Sequence, residues 1–215
     1  MICVSLNEPD YPAIVRVLDG LKAEMAEIRL DGARLTPEEV GQLFSRPLPL
    51  VATFRPGENV ADRERMETLA LAVRAGARYL DLELESVPLG RGELIPLARA
   101  HGCRVIVSHH DERETPARDR LEEIIEACFA AGADIAKIAC RIRTRADCAR
   151  ILSLYEGGRA LIALGMGRLG IVTRIAAPIL GAPFTYAAPD GGRPVAEGQL
   201  DWTTTRDLLK ILEGR

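Results

Sequence analysis

Short apolar segments alternate with longer helical segments along the whole chain, and this order constrains the fold more than any other feature. We count eight such pairs and predict the strands at Ile2–Leu6, Met25–Leu30, Leu50–Phe54, Tyr79–Leu84, Arg104–Ser108, Asp134–Ile138, Ala160–Leu164 and Pro183–Ala187. Strands that are mostly apolar and separated by helices are typical of a parallel sheet whose outer face is covered. Eight repeats in 215 residues therefore predict one (β/α)8 barrel of the TIM class over residues 1–215, small for that fold.

The predicted helices between these strands carry sequence signals for their ends. Examples are Pro37–Phe44 after Thr36, Asp62–Ala75 before Gly76, Pro116–Ala131 before Gly132, Thr144–Tyr155 before Gly157, and Thr203–Leu212. The alternative fold is an open, doubly wound sheet, which often has a glycine-rich first turn for a ligand. The first turn here, residues 6–10, contains no glycine, which favours the barrel.

Composition argues against several classes of function. The formal net charge of -3 and the pI near 5.7 give no basic surface for nucleic acid or anionic membranes. No segment reaches the roughly 18 apolar residues of a membrane helix, and the first ten residues do not resemble a signal peptide, so we expect a cytoplasmic protein. The five cysteines form no C-x-x-C pair, and no H-E-x-x-H motif is present, so we expect no metal site.

Charged residues cluster where the predicted strands end, and in a barrel these ends meet at one mouth. Alternation along the second and fourth strands places two triplets on one side each: Glu27, Arg29 and Asp31, and Asp81, Glu83 and Glu85. Carboxylates that point inward need basic partners or raised pKa values, and Arg29, Arg55 and a histidine are candidate partners. The alternative for the first triplet is an ion-pair network that only stabilises the barrel, and for the second an exposed strand end.

Two adjacent histidines, His109 and His110, follow the fifth predicted strand. Histidine exchanges a proton near neutral pH, and a neighbouring carboxylate such as Glu83 can orient its ring. A zinc site would need a third ligand, which no motif supplies. The pair therefore indicates a candidate acid or base.

Lys137 lies inside the otherwise apolar sixth predicted strand. Burial disfavours the ammonium form and leaves a nucleophilic amine, which can condense with a carbonyl group. The alternatives are a lysine paired with a carboxylate or one that reaches the barrel rim. Of the 28 basic residues, all but Lys22, Lys137 and Lys210 are arginines, so a purely structural cation would more often be arginine. We therefore predict that Lys137 is catalytic.

Two further segments follow the last predicted strands. A glycine-rich turn, residues 165–170, precedes a helix that carries Arg174, and such turns can expose backbone N–H groups to an anion. Arg174 itself can bind a carboxylate with two parallel hydrogen bonds. The longest predicted loop is Ala188–Gly198.

Together these residues resemble the type I 3-dehydroquinate dehydratases, the Schiff-base enzymes of the shikimate pathway of aromatic amino-acid biosynthesis. The segments that carry the resemblance, in the family's order, are residues 27–31 (EIRLD), 53–55 (TFR), 81–84 (DLEL), 108–111 (SHHD), 137–139 (KIA), 170–174 (GIVTR) and 198–199 (GQ). They span nearly the whole chain, and most lie at a predicted strand end.

The resemblance implies a specific reaction without a metal or organic cofactor. Lys137 would form an imine with the C3 carbonyl of 3-dehydroquinate, which makes the C2 proton acidic. His110 would remove that proton and return one to the departing C1 hydroxyl, and hydrolysis would release 3-dehydroshikimate. His109 would be a supporting residue, because the family's base immediately precedes the aspartate of this motif.

The same resemblance assigns the binding residues and the assembly. Glu83 would orient His110, while Glu27, Arg29 and Arg55 would bind substrate hydroxyls. Arg174 would bind the substrate carboxylate, Gln199 would lie on a lid formed by residues 188–199, and the enzyme would be a homodimer. Where the family's lid commonly has Ser-Ala-Pro-Gly-Gln, this chain has Val-Ala-Glu-Gly-Gln at residues 195–199, without the serine hydroxyl and with an added carboxylate at Glu197.

Two other functions remain open from the sequence. A class I aldolase also uses a Schiff-base lysine on the sixth strand of a barrel, but needs other acid and base groups and often a phosphate site. A catalytically silent barrel could bind a shikimate-like acid as a sensor or scaffold, although the set of Lys137, His110 and Glu83 argues against it.

Overall fold

The computed structural model describes residues 1–57, 61–87 and 93–214. Its strands are β1 (Ile2–Leu6), β2 (Met25–Arg29), β3 (Leu50–Thr53), β4 (Tyr79–Glu83), β5 (Arg104–Asp111), β6 (Ile135–Arg141), β7 (Leu161–Met166) and β8 (Thr185–Ala187). The α-helices of the described segments are α1 (Tyr11–Gly20), α2 (Pro37–Phe44), α3 (Asp62–Ala75), α4 (Leu94–Ala100), α5 (Arg118–Ala130), α6 (Arg145–Ser153), α7 (Ile171–Ile179) and α8 (Trp202–Leu212).

The eight strands form a nearly closed parallel barrel. Their hydrogen-bonded order is β7-β6-β5-β4-β3-β2-β1-β8, so β1 pairs with the second strand on one side and with the last strand on the other. Cys3, for example, lies opposite both Met25 and Tyr186. In the described ladder β7 and β8 are the two ends. The predicted (β/α)8 barrel is confirmed.

Helix ends follow the sequence signals. Thr36 accepts a hydrogen bond from the backbone N–H of Glu39, and the Glu39 carboxylate accepts one from the N–H of Thr36, a capping box that starts α2. Thr144 and Asp147 start α6 in the same way. Gly76 ends α3 with φ 117°, a left-handed conformation in which a Cβ would be strained.

Apolar side chains fill two layers. One lies between the sheet and the helices, where Ile28, Leu82, Val107 and Ile138 are buried. The other fills the barrel interior, where the ring of Phe184 contacts those of Tyr79 and Tyr186 edge-to-face, with centroid distances of 5.5 and 5.4 Å. None of the helices in the described ranges is long and apolar enough to cross a membrane.

Six of the eight strands end at a different residue from the prediction, and β6, β7 and β8 begin one or two residues later than predicted. β2, β3 and β4 stop one residue early, and short 3-10 turns at Leu30–Gly32 and Leu84–Ser86 follow β2 and β4. β7 runs two residues further, to Met166. β5 and β6 each run three residues further, since His109–Asp111 pair with Ile138–Cys140. Backbone hydrogen bonds can extend a strand through polar residues as well as apolar ones. The last apolar residue of a segment is therefore a poor guide to where its strand ends.

Candidate active site

A cavity of about 400 Å³ lies at the carboxyl ends of the strands. All eight residues predicted for the site line it: Glu27, Arg29, Arg55, Glu83, His110, Lys137, Arg174 and Gln199. Its apolar walls come from Leu164, Met166, Tyr186 and Val195, among others. The prediction that these strand ends share one mouth is confirmed, whereas the chemical roles stay predictions.

Lys137 projects from β6 and is 6% exposed. Its Nζ donates a hydrogen bond to Oδ2 of Asp81 at 2.8 Å and lies 3.8 Å from Oε1 of Glu27. The same nitrogen lies 4.4 Å from the centroid of the Tyr186 ring. Lys137 thus has a carboxylate partner, one of the alternatives considered from the sequence, and it also lines the cavity.

Arg55 joins the two acidic side chains of β4. Its guanidinium donates to both carboxylate oxygens of Asp81 at 3.1 Å and to Glu83 at 2.5 Å. Burial raises the pKa of Asp81, but the charges of Arg55 and Lys137 outweigh burial and hold that pKa well below its usual range. Burial lowers the pKa of Arg55, and the neighbouring carboxylates more than reverse this effect. Both groups are therefore charged at neutral pH.

His110 is held from both sides of its ring. Nδ1 lies 2.9 and 3.0 Å from the two oxygens of Glu83, and Nε2 lies 3.4 Å from an Nη atom of Arg55. Because the carboxylate accepts and the guanidinium donates, we assign the proton to Nδ1 and the free lone pair to Nε2. Burial and the charge of Arg55 lower the pKa of His110, although Glu83 opposes them. A neutral ring suits a base.

Arg174 lies in α7 and is 4% exposed. Its Nε has no hydrogen-bond partner among the described residues, an unusual state for a buried guanidinium nitrogen. Burial lowers the pKa of Arg174 to about 10. A buried guanidinium that lines a cavity and whose Nε lacks a partner among the described residues can serve as a binding group for an anion.

Two backbone N–H groups of the glycine-rich turn beside α7, which the sequence suggested could face an anion, already have partners within the protein. The N–H of Gly165 donates to Oγ1 of Thr173 at 2.7 Å, and the N–H of Gly167 donates to the carbonyl of Glu197 at 3.0 Å. These donors serve the turn and the following loop, because a buried N–H group without a partner would be costly.

The remaining polar residues divide into those inside and those outside the cavity. Arg29 lines it and pairs through two hydrogen bonds with Asp31, at 3.0 and 2.6 Å. Glu85, predicted to share a side with Asp81 and Glu83, is exposed and lies 3.2 Å from Nδ1 of His109. That prediction was wrong because the 3-10 turn after β4 ends the strand alternation.

The segment 195–199 covers one side of the cavity. Oε1 of Gln199 accepts hydrogen bonds from the N–H groups of Val195 at 2.8 Å and Ala196 at 3.2 Å. Glu197 forms an ion pair with Arg141 at the end of β6. The carboxylate that departs from the family's usual lid sequence thus attaches this segment to the barrel.

The model of the type I 3-dehydroquinase family matches residues 2–215. The chain belongs to this family. It is 37% identical to the 3-dehydroquinate dehydratase of Pyrococcus abyssi over 222 residues, covering 100% of both chains. It is 36% identical to that of Methanosarcina barkeri over 209 residues, covering 89% of this chain and 86% of the relative. The 3-dehydroquinate dehydratase structure from Geobacillus kaustophilus superposes with a TM-score of 0.89 at 24% identity, covering 99% and 91%.

In this member of the type I 3-dehydroquinase family, Ser108 and Tyr186 were not singled out from the sequence, and Asp81 was expected to point inward but was assigned no role. Asp81 contacts Lys137 and Arg55, Ser108 donates to Asp81 at 2.6 Å, and the Tyr186 ring faces Lys137. The position of Asp81, two residues before Glu83 on the same strand, was the available signal. Across residues 1–57, 61–87 and 93–214, no three His, Cys, Asp or Glu side chains are grouped so that they could hold a metal ion.

Proposed function

We propose that this chain is a hydro-lyase that dehydrates 3-dehydroquinate to 3-dehydroshikimate through a Schiff base on Lys137. One observation carries the proposal: a buried amine, a histidine next to a carboxylate, and a buried guanidinium whose Nε has no partner among the described residues all line the same cavity. These are a nucleophile, a base and a carboxylate-binding group. Membership of the type I 3-dehydroquinase family supports the choice of substrate.

The first step is imine formation on Lys137. The neutral Nζ attacks the C3 carbonyl carbon, and the resulting carbinolamine loses its oxygen as water to give a protonated imine. The positive nitrogen withdraws electrons from C3, so the adjacent C2–H becomes acidic. This electron sink takes the place of a metal ion or organic cofactor.

The second step is the loss of water, with His110 as base and then as acid. Nε2 takes the C2 proton, and the electron pair of that bond forms the enamine with the nitrogen as acceptor. The enamine then expels the C1 hydroxyl, which receives the proton from His110 and leaves as water. Hydrolysis of the remaining imine consumes one water, releases 3-dehydroshikimate and restores Lys137. Glu83 keeps the ring oriented and stabilises its charged form throughout.

Other charged residues that line the cavity bind the substrate. Arg174 binds the C1 carboxylate, while Glu27, Arg29 and Arg55 bind the hydroxyl groups. Residues 188–199 act as a lid, and Gln199 holds the segment that faces the substrate. At residue 195 a valine gives an apolar contact where the family commonly offers a hydroxyl.

We further propose that the enzyme is a homodimer in the cytoplasm. Large exposed apolar side chains lie on α7 and α8, among them Val172, Ile179, Ile211 and Leu212, and such a surface favours association. All five cysteines are free thiols, which suits a reducing compartment.

Reductive trapping tests the mechanism. Borohydride added with 3-dehydroquinate should leave a covalent adduct on Lys137, detected by intact mass and located by peptide mapping. Lys22 and Lys210 serve as internal controls, and an adduct on either, or on none, would refute the proposal. His110→Ala should still form the adduct but turn over at least about 100-fold more slowly; unimpaired turnover would remove His110 from its role.

A further inference from the structure

Asp81 is the most thoroughly buried acid beside the proposed nucleophile, and the mechanism above gives it no part. The carboxylate receives hydrogen bonds from Lys137 at 2.8 Å, from Ser108 at 2.6 Å and from Arg55 at 3.1 Å at each oxygen. Its side chain is fully shielded from solvent. An ionised carboxylate in this position places a fixed negative charge against the atom that becomes the imine nitrogen.

The chemistry of that nitrogen changes during the reaction in a way that makes this charge significant. The protonated imine keeps one N–H and one positive charge, so it can go on donating to Asp81. A neutral imine would leave the carboxylate without this partner. We propose that Asp81 is the counter-ion that keeps the imine on Lys137 protonated, an inference that rests on the proposed Schiff-base function.

The face of the Tyr186 ring, 4.4 Å from Nζ, adds to this effect, since aromatic faces attract cations. The counter-ion opposes the attack step, in which the amine must be neutral, and favours the protonated imine, from which both the loss of the C2 proton and the final hydrolysis begin. The pH at which the imine loses its proton therefore reports the role of Asp81 directly.

Other charged and titratable groups also face Asp81 and Nζ of Lys137, and they too influence the pH at which the imine loses its proton. They are Arg55 after β3, Glu27 on β2, Glu83 on β4, His110 on β5, Tyr186 on β8 and Cys3 on β1. Each is present in the wild type and in a variant of residue 81, so a comparison between the two isolates the aspartate.

A purely structural Asp81 would hold Arg55 and Lys137 in place, and its loss would slow turnover at every pH. A counter-ion predicts a shift along the pH axis instead. Cyanoborohydride reduces protonated imines in strong preference to neutral ones, so the pH dependence of trapping separates the two roles.

The experiment compares the wild type, Asp81→Asn and a matched control, Glu85→Gln, each incubated with 3-dehydroquinate and cyanoborohydride from about pH 6 to about pH 10. Glu85 is an exposed carboxylate outside the cavity that pairs with His109, so its variant removes one negative charge without touching Lys137. The midpoint of trapping on Lys137 should fall by about one to three pH units in Asp81→Asn. It should stay at the wild-type value in Glu85→Gln.

The possible outcomes distinguish a failure of this inference from a failure of the proposed function on which it rests. A wild type that gives no adduct on Lys137 overturns the proposed function. A wild type that is trapped, together with an Asp81→Asn midpoint that does not move, overturns the counter-ion. An equal shift in Glu85→Gln also overturns it, because the effect would then be one of overall charge.

A measurement on the wild type keeps the inference testable if Asp81→Asn does not fold. The chain has three lysines, so ¹⁵N-lysine labelling gives few signals, and the imine nitrogen on Lys137 can be followed directly by NMR. Its protonated form should persist at least about one pH unit above that of the imine formed by a simple alkylamine. Titration at the same pH as the alkylamine imine would refute the role.

Discussion

Replacing Arg174 with methionine should stabilise the unliganded protein while it removes carboxylate binding. The guanidinium is buried, its Nε has no partner among the described residues, and burial lowers its pKa from 12.5 to about 10. At pH 7 the group is charged both folded and unfolded, so a lowered folded pKa means that folding disfavours the charge. About 1.36 kcal/mol for each pKa unit gives a cost of about 3 kcal/mol.

Methionine keeps much of the apolar stem and carries no charge, so part of this cost should be recovered. We expect Arg174→Met to raise the free energy of unfolding by about 1–3 kcal/mol, after some loss of packing. Guanidinium denaturation at pH 7 measures this difference, and the melting temperature should rise by about 2–4 °C for each kcal/mol. The kcat/KM for 3-dehydroquinate should fall at least about tenfold, because a hydrogen-bonded charge pair with the carboxylate is lost.

Arg159→Met is a matched control, because Arg159 is a half-exposed arginine that pairs with Glu126. Its stability should change by less than about 1 kcal/mol. Added 3-dehydroshikimate should raise the melting temperature of the wild type and of the control, but not that of Arg174→Met. A folded Arg174→Met that is less stable than the wild type would show that the guanidinium stabilises the empty site, and the reasoning would fail.

Three further predictions concern the lid, the base and the surface. Glu197→Gln should raise KM about two- to fivefold in low salt, because the partly exposed pair with Arg141 is weakened, and the difference from wild type should vanish near 1 M salt. Burial and a neighbouring guanidinium lower the pKa of His110, so kcat/KM should stay constant as pH falls to about 6.5, the ordinary pKa of histidine, and decline only at lower pH. A decline in kcat/KM centred above about 6.5 would contradict this. Ile211→Glu should shift the protein from dimer to monomer in sedimentation velocity, and a wild type that sediments as a monomer would refute the dimer.

The sequence predicts the barrel and the residues that line the cavity well, for a simple geometric reason. In a parallel barrel every strand ends at the same mouth, so Glu27 on β2 and Lys137 on β6 must meet there once the strands are located. Local patterns are enough to locate the strands, and the alternation of side chains selects those that face the interior.

The errors arise where backbone geometry, not side-chain pattern, decides the outcome. Glu85 follows Glu83 at the spacing of a strand, but a 3-10 turn sends it outward to His109. The partners of buried charges were equally hidden, because the contact of Lys137 with Asp81 depends on side-chain conformations across 56 positions of sequence. Likewise, nothing local to Glu197 indicates that it reaches Arg141.

The uneven closure of the barrel has a consequence for how the enzyme turns over. β5 and β6 are paired from Ile106 to Asp111, whereas β8 is described with three pairings, all to β1, and stands at one end of the ladder. A strand opens most easily where it has the fewest hydrogen-bonded pairs. Amide exchange should therefore be fastest along β8 and the proposed lid that follows it. Arg174 and Gln199 lie in the segments before and after β8, while His110 and Lys137 lie on the more extensively paired β5 and β6. We therefore expect product release to proceed by local opening around β8, which would leave the alignment of the proposed reacting groups undisturbed.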